Sequence, residues 1–146
     1  MLELYKQQTK CLVALDSIIF GFDGEELKLL LVKRGVQAHD TWSLMGGWLK
    51  PNESLDQAAE RILFELTGVT GIFLEQLNAF GDPSRDPIER TVAVAYYALV
   101  NVKDYETKIS DTHHAQWFSM QDLPELLFDH REMIKIAIER LRYKAA

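Results

Sequence analysis

The sequence predicts an α/β fold in which a mixed, partly antiparallel sheet is covered by helices. Two aliphatic runs, residues 11–22 and 27–33, flank Asp23-Gly24, a pair typical of a β-hairpin turn. Residues 91–100 are apolar on both faces, which indicates a central strand. Two further segments repeat apolar residues at helical spacing. Strands and helices that share one chain in this way favour a layered α/β sandwich.

Shorter strands and two helices complete the predicted elements. Residues 42–45, 72–80 and 114–119 are predicted strands. The middle helix begins after Ser54, which with Gln57 forms a capping-box pattern, and it ends at Gly68, a residue suited to a left-handed stop. Its apolar positions are Leu55, Ala58, Ala59, Ile62, Leu63 and Leu66. The last helix begins with the cap pattern of Asp129 and Glu132.

Composition limits the classes of function. A chain of 146 residues with 47% hydrophobic residues predicts one domain, residues 1–146, with a proper core. A net charge of −6 argues against nucleic acid binding by this chain alone. The single cysteine excludes an intrachain disulfide. The N-terminus lacks a signal-peptide pattern, and the apolar run 11–22 is too short for a bilayer and contains Asp16, so we expect a cytoplasmic protein without a membrane partner.

One long motif occupies the centre of the chain. Gly47 is followed after five residues by Glu53 and after seven more by Arg61, and the run from Arg61 to residue 69 reads RILFELTGV. This arrangement resembles the Nudix box, G-x5-E-x7-R-E-U-x-E-E-x-G-U with U aliphatic, at every spacing. It departs from the box at Ile62 and Leu66, which stand where the box has glutamates.

The resemblance implies an α/β/α sandwich and a metal site that this chain does not keep. In Nudix hydrolases three glutamates of the box hold divalent cations against a diphosphate, and by position only Glu65 remains. Aliphatic side chains offer Mg²⁺ no oxygen ligand. We therefore expect no catalytic residue, no metal and no required cofactor, with Glu65 as a weak Mg²⁺ site at most. Gly47, Glu53, Arg61 and Gly68 keep structural roles. Family apart, the segment is a well-capped, core-facing helix.

A second unusual stretch is the loop that contains Asp82, Arg85 and Asp86 between two apolar strands. It resembles the G/S-D-P-x-R-D-P loop of ADP-ribose-type Nudix proteins and of Nudix-related transcriptional regulators. Two interpretations stay open: a loop that lines a pocket, or a rigid loop in which Arg85, Asp86 and Arg90 pair among themselves. Arginines suit phosphates, aspartates suit sugar hydroxyls, and aromatic rings suit stacking. The candidate ligand-binding residues are Glu65, Phe80, Asp82, Arg85, Asp86, Arg90 and Tyr96.

The functional prediction follows the regulators, including their arabinose-responsive branch. In that family a Nudix-like domain binds a small effector and a C-terminal winged helix, absent from this chain, binds DNA, commonly as a dimer. We therefore predict a non-catalytic domain that binds a sugar or a nucleotide-sugar such as ADP-ribose and forms a homodimer. One alternative is a hydrolase of ADP-ribose-like compounds that depends on Mg²⁺ and on Glu65 and Glu53. Another is a protein-interaction module on the same fold.

Overall fold

The computed structural model describes residues 1–34, 41–105 and 114–145, and their strands form one mixed, seven-stranded sheet between helices. In chain order the elements are α1 (Leu2–Lys6), β1 (Leu12–Phe22), β2 (Leu27–Lys33), β3 (Trp42–Ser43), β4 (Met45–Trp48), α2 (Leu55–Thr67), β5 (Glu75–Phe80), β6 (Thr91–Asn101), a 3-10 turn (Val102–Asp104), β7 (Ala115–Ser119) and α3 (His130–Ala145). No helix of the described segments is long and apolar enough to cross a membrane.

Strand β1 organises the sheet. It runs parallel to β6 along its whole length, from Leu12 beside Thr91 to Phe22 beside Asn101. On its other edge the first half of β1 pairs antiparallel with β4, and its last residues pair antiparallel with β2. Strand β5 pairs antiparallel with β6, and β7 pairs antiparallel with β2. The register of β1 with β4 sets Asp16 directly beside Gly46.

Helices α2 and α3 cover opposite faces of the sheet. Leu15 and Ile19 of β1 pack in clusters that include residues of α2, whereas Ile18 and Phe20 pack in the cluster that includes residues of α3. Successive side chains of a strand point to opposite faces, so a strand apolar on both faces fills both layers. The predicted α/β/α sandwich is confirmed.

The local signals of α2 act as predicted. The Ser54 hydroxyl accepts a hydrogen bond from the Gln57 N–H at 3.1 Å, and Gln57 Oε1 accepts one from the Ser54 N–H at 2.9 Å. Gly68 ends the helix with φ of 75°, where a side chain would be strained. The hairpin turn is also local, because Asp23 Oδ1 accepts from the N–H groups of Glu25 and Glu26.

Two predicted strands differ in extent. The predicted strand 42–45 is divided into β3 and β4, because the Leu44 N–H donates to His130 Nδ1 instead of joining a ladder. Strand β5 begins at Glu75 and not at residue 72, since Ile72 and Leu74 pack against the α2 side of the core without strand pairing. Helix α1, whose residues are all exposed, was not predicted.

The start of α3 also differs from the cap pattern. The helix begins at His130, and the Glu132 N–H donates to the main-chain oxygen of Asp129 at 3.0 Å. The Asp129 carboxylate accepts instead from Arg85, a residue of the loop between β5 and β6. The Asp129 side chain, which the sequence pattern predicted as a helix cap, therefore forms an ion pair with Arg85 instead.

Candidate functional site

A cavity of about 270 Å³ opens beside the first residues of α3. Its walls come from β1, from β4, from the loop between β5 and β6, and from the segment before α3. The lining residues are Ala14, Asp16, Arg34, Gly46, Gly47, Trp48, Arg85, Asp86, Thr91, Leu127, Phe128 and His130. The sheet therefore joins the first glycine of the box to the Arg85-Asp86 loop in one concave site, the usual form of a small-molecule site.

Asp16 is the most unusual group in the cavity wall. It lies on the face of β1 that meets α3, and only 4% of the residue is exposed. Burial raises the pKa of its carboxyl group, although His130, Arg85 and Arg34 oppose that effect. A Cβ atom at position 46 would collide with Asp16 Oδ1, so the chain needs glycine where β4 passes this carboxylate.

His130 is the nearest ionisable neighbour of Asp16. Its Nδ1 accepts a hydrogen bond from the Leu44 N–H at 3.2 Å, which places the proton of a neutral imidazole on Nε2. That Nε2 lies 3.5 Å from Asp16 Oδ1. Burial lowers the pKa of His130 more than Asp16 raises it. The ring is therefore a neutral donor that faces a buried carboxyl group.

Arg34 supplies positive charge to another wall. Its Nε donates to Ser43 Oγ at 2.9 Å and its Nη2 donates to the Gly46 carbonyl at 2.8 Å. Burial lowers the pKa of Arg34, and the negative charge of Asp16 opposes this shift. The guanidinium stays charged, as arginine does in proteins, and is fixed by the two bonds.

Arg85 and Asp86 hold the loop in place. Arg85 Nε and Nη2 both donate to the Asp129 carboxylate at 2.9 Å, in the two-pronged geometry that arginine favours. Asp86 Oδ1 accepts from the Ile88 N–H at 2.9 Å. Arg90 donates to the Gly81 carbonyl at 2.8 Å. These partners differ from the alternative in which Arg85, Asp86 and Arg90 pair with one another.

Two aromatic side chains border the cavity and reach solvent. Trp48 is 50% exposed and Phe128 is 38% exposed. Phe128 has φ of 48°, a conformation that residues with side chains rarely adopt. Its ring meets the His130 ring edge-on, with 6.4 Å between centroids. The rim therefore offers apolar surface above a polar interior.

The charged residues of the box form their own network at the edge of α2. Arg61 donates to both Glu53 oxygens at 2.9 and 2.7 Å, to Glu65 Oε1 at 2.7 Å and to the Trp48 carbonyl at 2.7 Å. The hydrogen bonds from Arg61 lower the pKa of Glu53 to about 2. The network braces the chain between β4 and α2, and its contact with Trp48 reaches the rim of the cavity.

This arrangement does not fit a divalent cation of the kind that the box implies. Ile62 is 4% exposed, and a Cβ atom at Gly47 would lie 2.8 Å from its Cγ1. Leu66 is half-buried against the core, and Glu65 is bound by Arg61. Within the described part of the chain no three His, Cys, Asp or Glu side chains lie together as a metal-binding group. Hard cations need several oxygen ligands.

The structure brings together only part of the predicted ligand-binding set. Arg85 and Asp86 line the cavity. The others lie elsewhere: Glu65 on the outer surface of α2, Asp82 and Arg90 on the exposed loop, Phe80 against the core beneath α3, and Tyr96 buried beneath α2.

Tyr96 lies on the other face of the sheet from this cavity. Its hydroxyl donates to Asp56 at 2.5 Å, and burial together with this bond raises its pKa to about 12. Successive side chains of β6 point to opposite faces of the sheet, and the Tyr96 side chain points toward α2, away from the cavity.

Sequence reasoning missed several lining residues that carry chemistry. They are Asp16, Arg34, Trp48, Phe128 and His130. One signal was available, because Asp16 is the only charged residue in the apolar run 11–22. Such a residue in a buried strand calls for a partner or a function. The other four come from three separate segments, because Phe128 and His130 lie two residues apart, and the sequence alone does not show that these segments meet.

Three features define the class of protein. The fold is an α/β/α sandwich, α2 lies within the Gly47–Gly68 motif, and a polar cavity lies beside Gly47. Residues 12–137 match the NUDIX domain family. The chain belongs to this family.

Two curated relatives indicate two directions within the family. The chain is 34% identical over 138 residues to the ADPR responsive transcriptional repressor NtrR of Acinetobacter baylyi, and the match covers 91% of this chain and 55% of the repressor. It is 29% identical over 136 residues to the ADP-ribose pyrophosphatase of Methanocaldococcus jannaschii, covering 92% of this chain and 77% of that enzyme. The chain thus spans little more than half of the repressor.

Solved structures give the same comparison in three dimensions. The NrtR protein of Shewanella oneidensis, complexed with a 27mer DNA, aligns with a TM-score of 0.81 at 34% identity, covering 91% of this chain and 63% of that one. The NUDIX domain of the same protein, complexed with ADP ribose, aligns with a TM-score of 0.78 at 33% identity, covering 93% of this chain and 92% of that one. The chain is therefore similar in fold to this DNA-bound protein and to its separate NUDIX domain.

Proposed function

We propose that this chain is a non-catalytic effector-binding domain of a transcriptional regulator and that its effector is a sugar or a nucleotide-sugar such as ADP-ribose. Binding would change the DNA affinity of the whole regulator through a difference in effector affinity between two states. DNA contact would come from a winged-helix domain outside this chain, and the regulator would act as a homodimer. The effector would occupy the cavity beside α3.

The residues found at the metal-ligand positions of the box helix are the main support for this proposal. Two of its three metal-ligand positions hold aliphatic side chains, and one of these, Ile62, is part of the core beneath the sheet. The remaining carboxylate, Glu65, serves Arg61 at 2.7 Å. A diphosphate that binds here has no pair of cations to polarise it, so hydrolysis lacks its main source of transition-state stabilisation.

The relatives support an effector role. The repressor from Acinetobacter baylyi is described as responsive to ADPR, and the domain from Shewanella oneidensis was crystallised with ADP ribose. The present chain shares about a third of its residues with each. A cavity with fixed polar groups and an aromatic rim offers this chain a place for such a ligand.

Binding in the absence of metal is the direct test. Isothermal titration of the purified chain with ADP-ribose in EDTA should give a saturable heat, and Mg²⁺ should leave the affinity within about twofold, because no cation bridges protein and ligand. L-arabinose and D-ribose are titrated in parallel to separate a free sugar from a nucleotide-sugar. A strict requirement for Mg²⁺ would contradict the proposal.

A hydrolase is the second candidate, and the similarity to an ADP-ribose pyrophosphatase favours it. It would use Mg²⁺ or Mn²⁺ held by Glu65, with Glu53 nearby. Release of AMP from ADP-ribose is the assay, and we expect turnover to stay near the uncatalysed background. Robust turnover that Glu65→Gln abolishes would reverse the ranking of these two candidates.

A protein-interaction module remains the third candidate. This candidate predicts that no sugar or nucleotide-sugar raises the melting temperature of the chain. A ligand stabilises a folded protein only if the folded state binds it. Light scattering after size-exclusion chromatography measures the proposed homodimer separately.

A further inference from the structure

Asp16 is the carboxylate of this cavity that the fold leaves without a close donor. Asp86 Oδ1 accepts from the Ile88 N–H at 2.9 Å, and both Asp129 oxygens accept from Arg85. In contrast, the described residues offer the Asp16 carboxylate one contact of this kind, the 3.5 Å approach of His130 Nε2. That distance exceeds an ordinary N–H···O hydrogen bond.

An under-bonded buried carboxylate is costly to keep. Asp16 is 4% exposed and lines the cavity, so the cavity is the side from which solvent or a ligand can reach its carboxylate. The charges around the cavity do not compensate, because three carboxylates, Asp16, Asp86 and Asp129, face two guanidinium groups, Arg34 and Arg85. Asparagine at position 16 would fill the same space without the charge. Groups that oppose stability in this way are typical of binding sites.

The cavity limits what the missing donor can be. Arg34 and Arg85 face three carboxylates, so the cavity has little net charge with which to bind an ionic ligand. Neutral hydroxyl groups donate hydrogen bonds to a carboxylate without adding charge. The volume of about 270 Å³ corresponds to about nine water molecules, the size of one sugar ring with its hydroxyls and less than a whole nucleotide-sugar. At the rim, Trp48 and Phe128 offer apolar surface to the C–H face of a ring.

We infer that Asp16 is the sugar-recognising residue of this domain and that its carboxylate accepts hydrogen bonds from adjacent hydroxyls of a ribose-like ring seated in the cavity. The inference rests on the proposed function and deepens it, because it assigns the terminal ribose of an ADP-ribose-type ligand to this cavity. The diphosphate and base then lie outside, past Trp48. His130 Nε2 lies 3.5 Å from the carboxylate, and Arg34, held by Ser43 and the Gly46 carbonyl, lies in the same cavity wall.

The test combines Asp16→Asn with two ligands and a melting curve. We expect the variant to bind ADP-ribose about 10- to 100-fold more weakly, the usual effect of losing hydrogen bonds to a charged group. Its affinity for ADP, which lacks the terminal ribose, should stay unchanged. The ligand-free variant should melt about 3 °C higher, because a poorly solvated charge has been removed. Asp122→Asn, at an exposed position, is the matched control and should change neither binding nor melting.

Each outcome has a distinct meaning. If wild type binds ADP-ribose and Asp16→Asn binds it equally well, the inference is wrong and the proposed function stands. If the variant melts lower and loses ADP and ADP-ribose alike, Asp16 has a structural role and the inference is again wrong. If the wild-type chain binds neither ADP-ribose, D-ribose nor L-arabinose, the proposed function fails and the inference fails with it.

Discussion

The two polar regions of this domain, the edge of α2 and the cavity beside α3, treat their charges differently. At the edge of α2, Glu53, Arg61 and Glu65 bind one another at 2.7 to 2.9 Å near solvent. In the cavity, Asp16 is buried and its close neighbour, His130, is a neutral ring at 3.5 Å. Satisfied charges near solvent stabilise a scaffold slightly, whereas an unsatisfied buried charge has a cost that a ligand can repay. This difference supports the proposal that a ligand binds in the cavity and that the charged residues of the box have a structural role.

The largest expected effect comes from the ion pair of Arg85 and Asp129, which joins a cavity-lining loop to the start of α3. Arg85→Ala leaves Asp129 without its partner at the start of α3, and the Arg85 side chain is 3% exposed. We expect a loss of about 4 kcal/mol in the free energy of unfolding, measured with urea. Arg131→Ala, at an exposed position, is the control, with an expected change below about 0.5 kcal/mol. A loss below about 1 kcal/mol for Arg85→Ala would show that this pair contributes little to folding.

Restoring a box glutamate tests whether α2 has become part of the core. Ile62→Glu places a carboxylate where the side chain is 4% exposed and touches the region of Gly47, so we expect a loss of about 3 kcal/mol in urea unfolding. Phe64→Glu changes a residue of the same helix that is 52% exposed and should cost less than about 1 kcal/mol. A stable Ile62→Glu variant that binds Mg²⁺ tightly would show that the metal site is easily recovered.

The pH dependence of stability sharpens the contrast at Asp16. Burial raises the pKa of Asp16 above its ordinary value of 3.8. His130, Arg85 and Arg34 lower this pKa, and Asp129 raises it further. A raised folded pKa means that the group favours folding below pH 3.8 and that this advantage is lost as pH rises through the folded pKa. The stability difference between Asp16→Asn and wild type should therefore grow from acid to neutral pH and then become constant. A constant difference from pH 3 to pH 7 would contradict the raised pKa.

The smallest expected effect lies at the edge of α2. Hydrogen bonds from Arg61 lower the pKa of Glu53 from 4.5 to about 2, so its contribution to stability is present above pH 4.5 and is lost as pH falls toward 2. Carbon NMR of the Glu53 carboxyl measures this titration directly. In Glu53→Gln the acid part of the stability curve should be shallower than in wild type, while Glu60→Gln, at an exposed position of α2, should follow wild type. A Glu53 titration near 4.5 would mean that the bonds seen here do not persist in solution.

Elements with local causes were predicted well. The capping box of Ser54 and Gln57, the stop at Gly68 and the apolar stripe of α2 all lie within one short stretch, so residue spacing alone specifies them. The Asp23-Gly24 turn is specified in the same way, because the turn residues bond to one another. The departures of the box at Ile62 and Leu66 were also visible directly in the sequence.

The candidate site was predicted only in part, because partners from elsewhere in the chain override local signals. Asp129 matched a helix cap but binds Arg85, which is 44 residues away. Leu44 matched a strand interior, yet its N–H binds His130 across 86 residues. Such pairings depend on which strands lie side by side in the sheet, and residue spacing within a segment does not specify the strand order.

The sequence by itself determined the layers of the fold, the box helix and the family, since each depends on periodicity or on fixed spacing within a short segment. Only the tertiary structure decided that Asp16, Arg34 and His130 meet in one cavity and that Tyr96 lies on the opposite face. The physical reason is the pairing of β1 with β4 and β6, which brings distant segments together and, through strand parity, assigns each side chain to one face of the sheet.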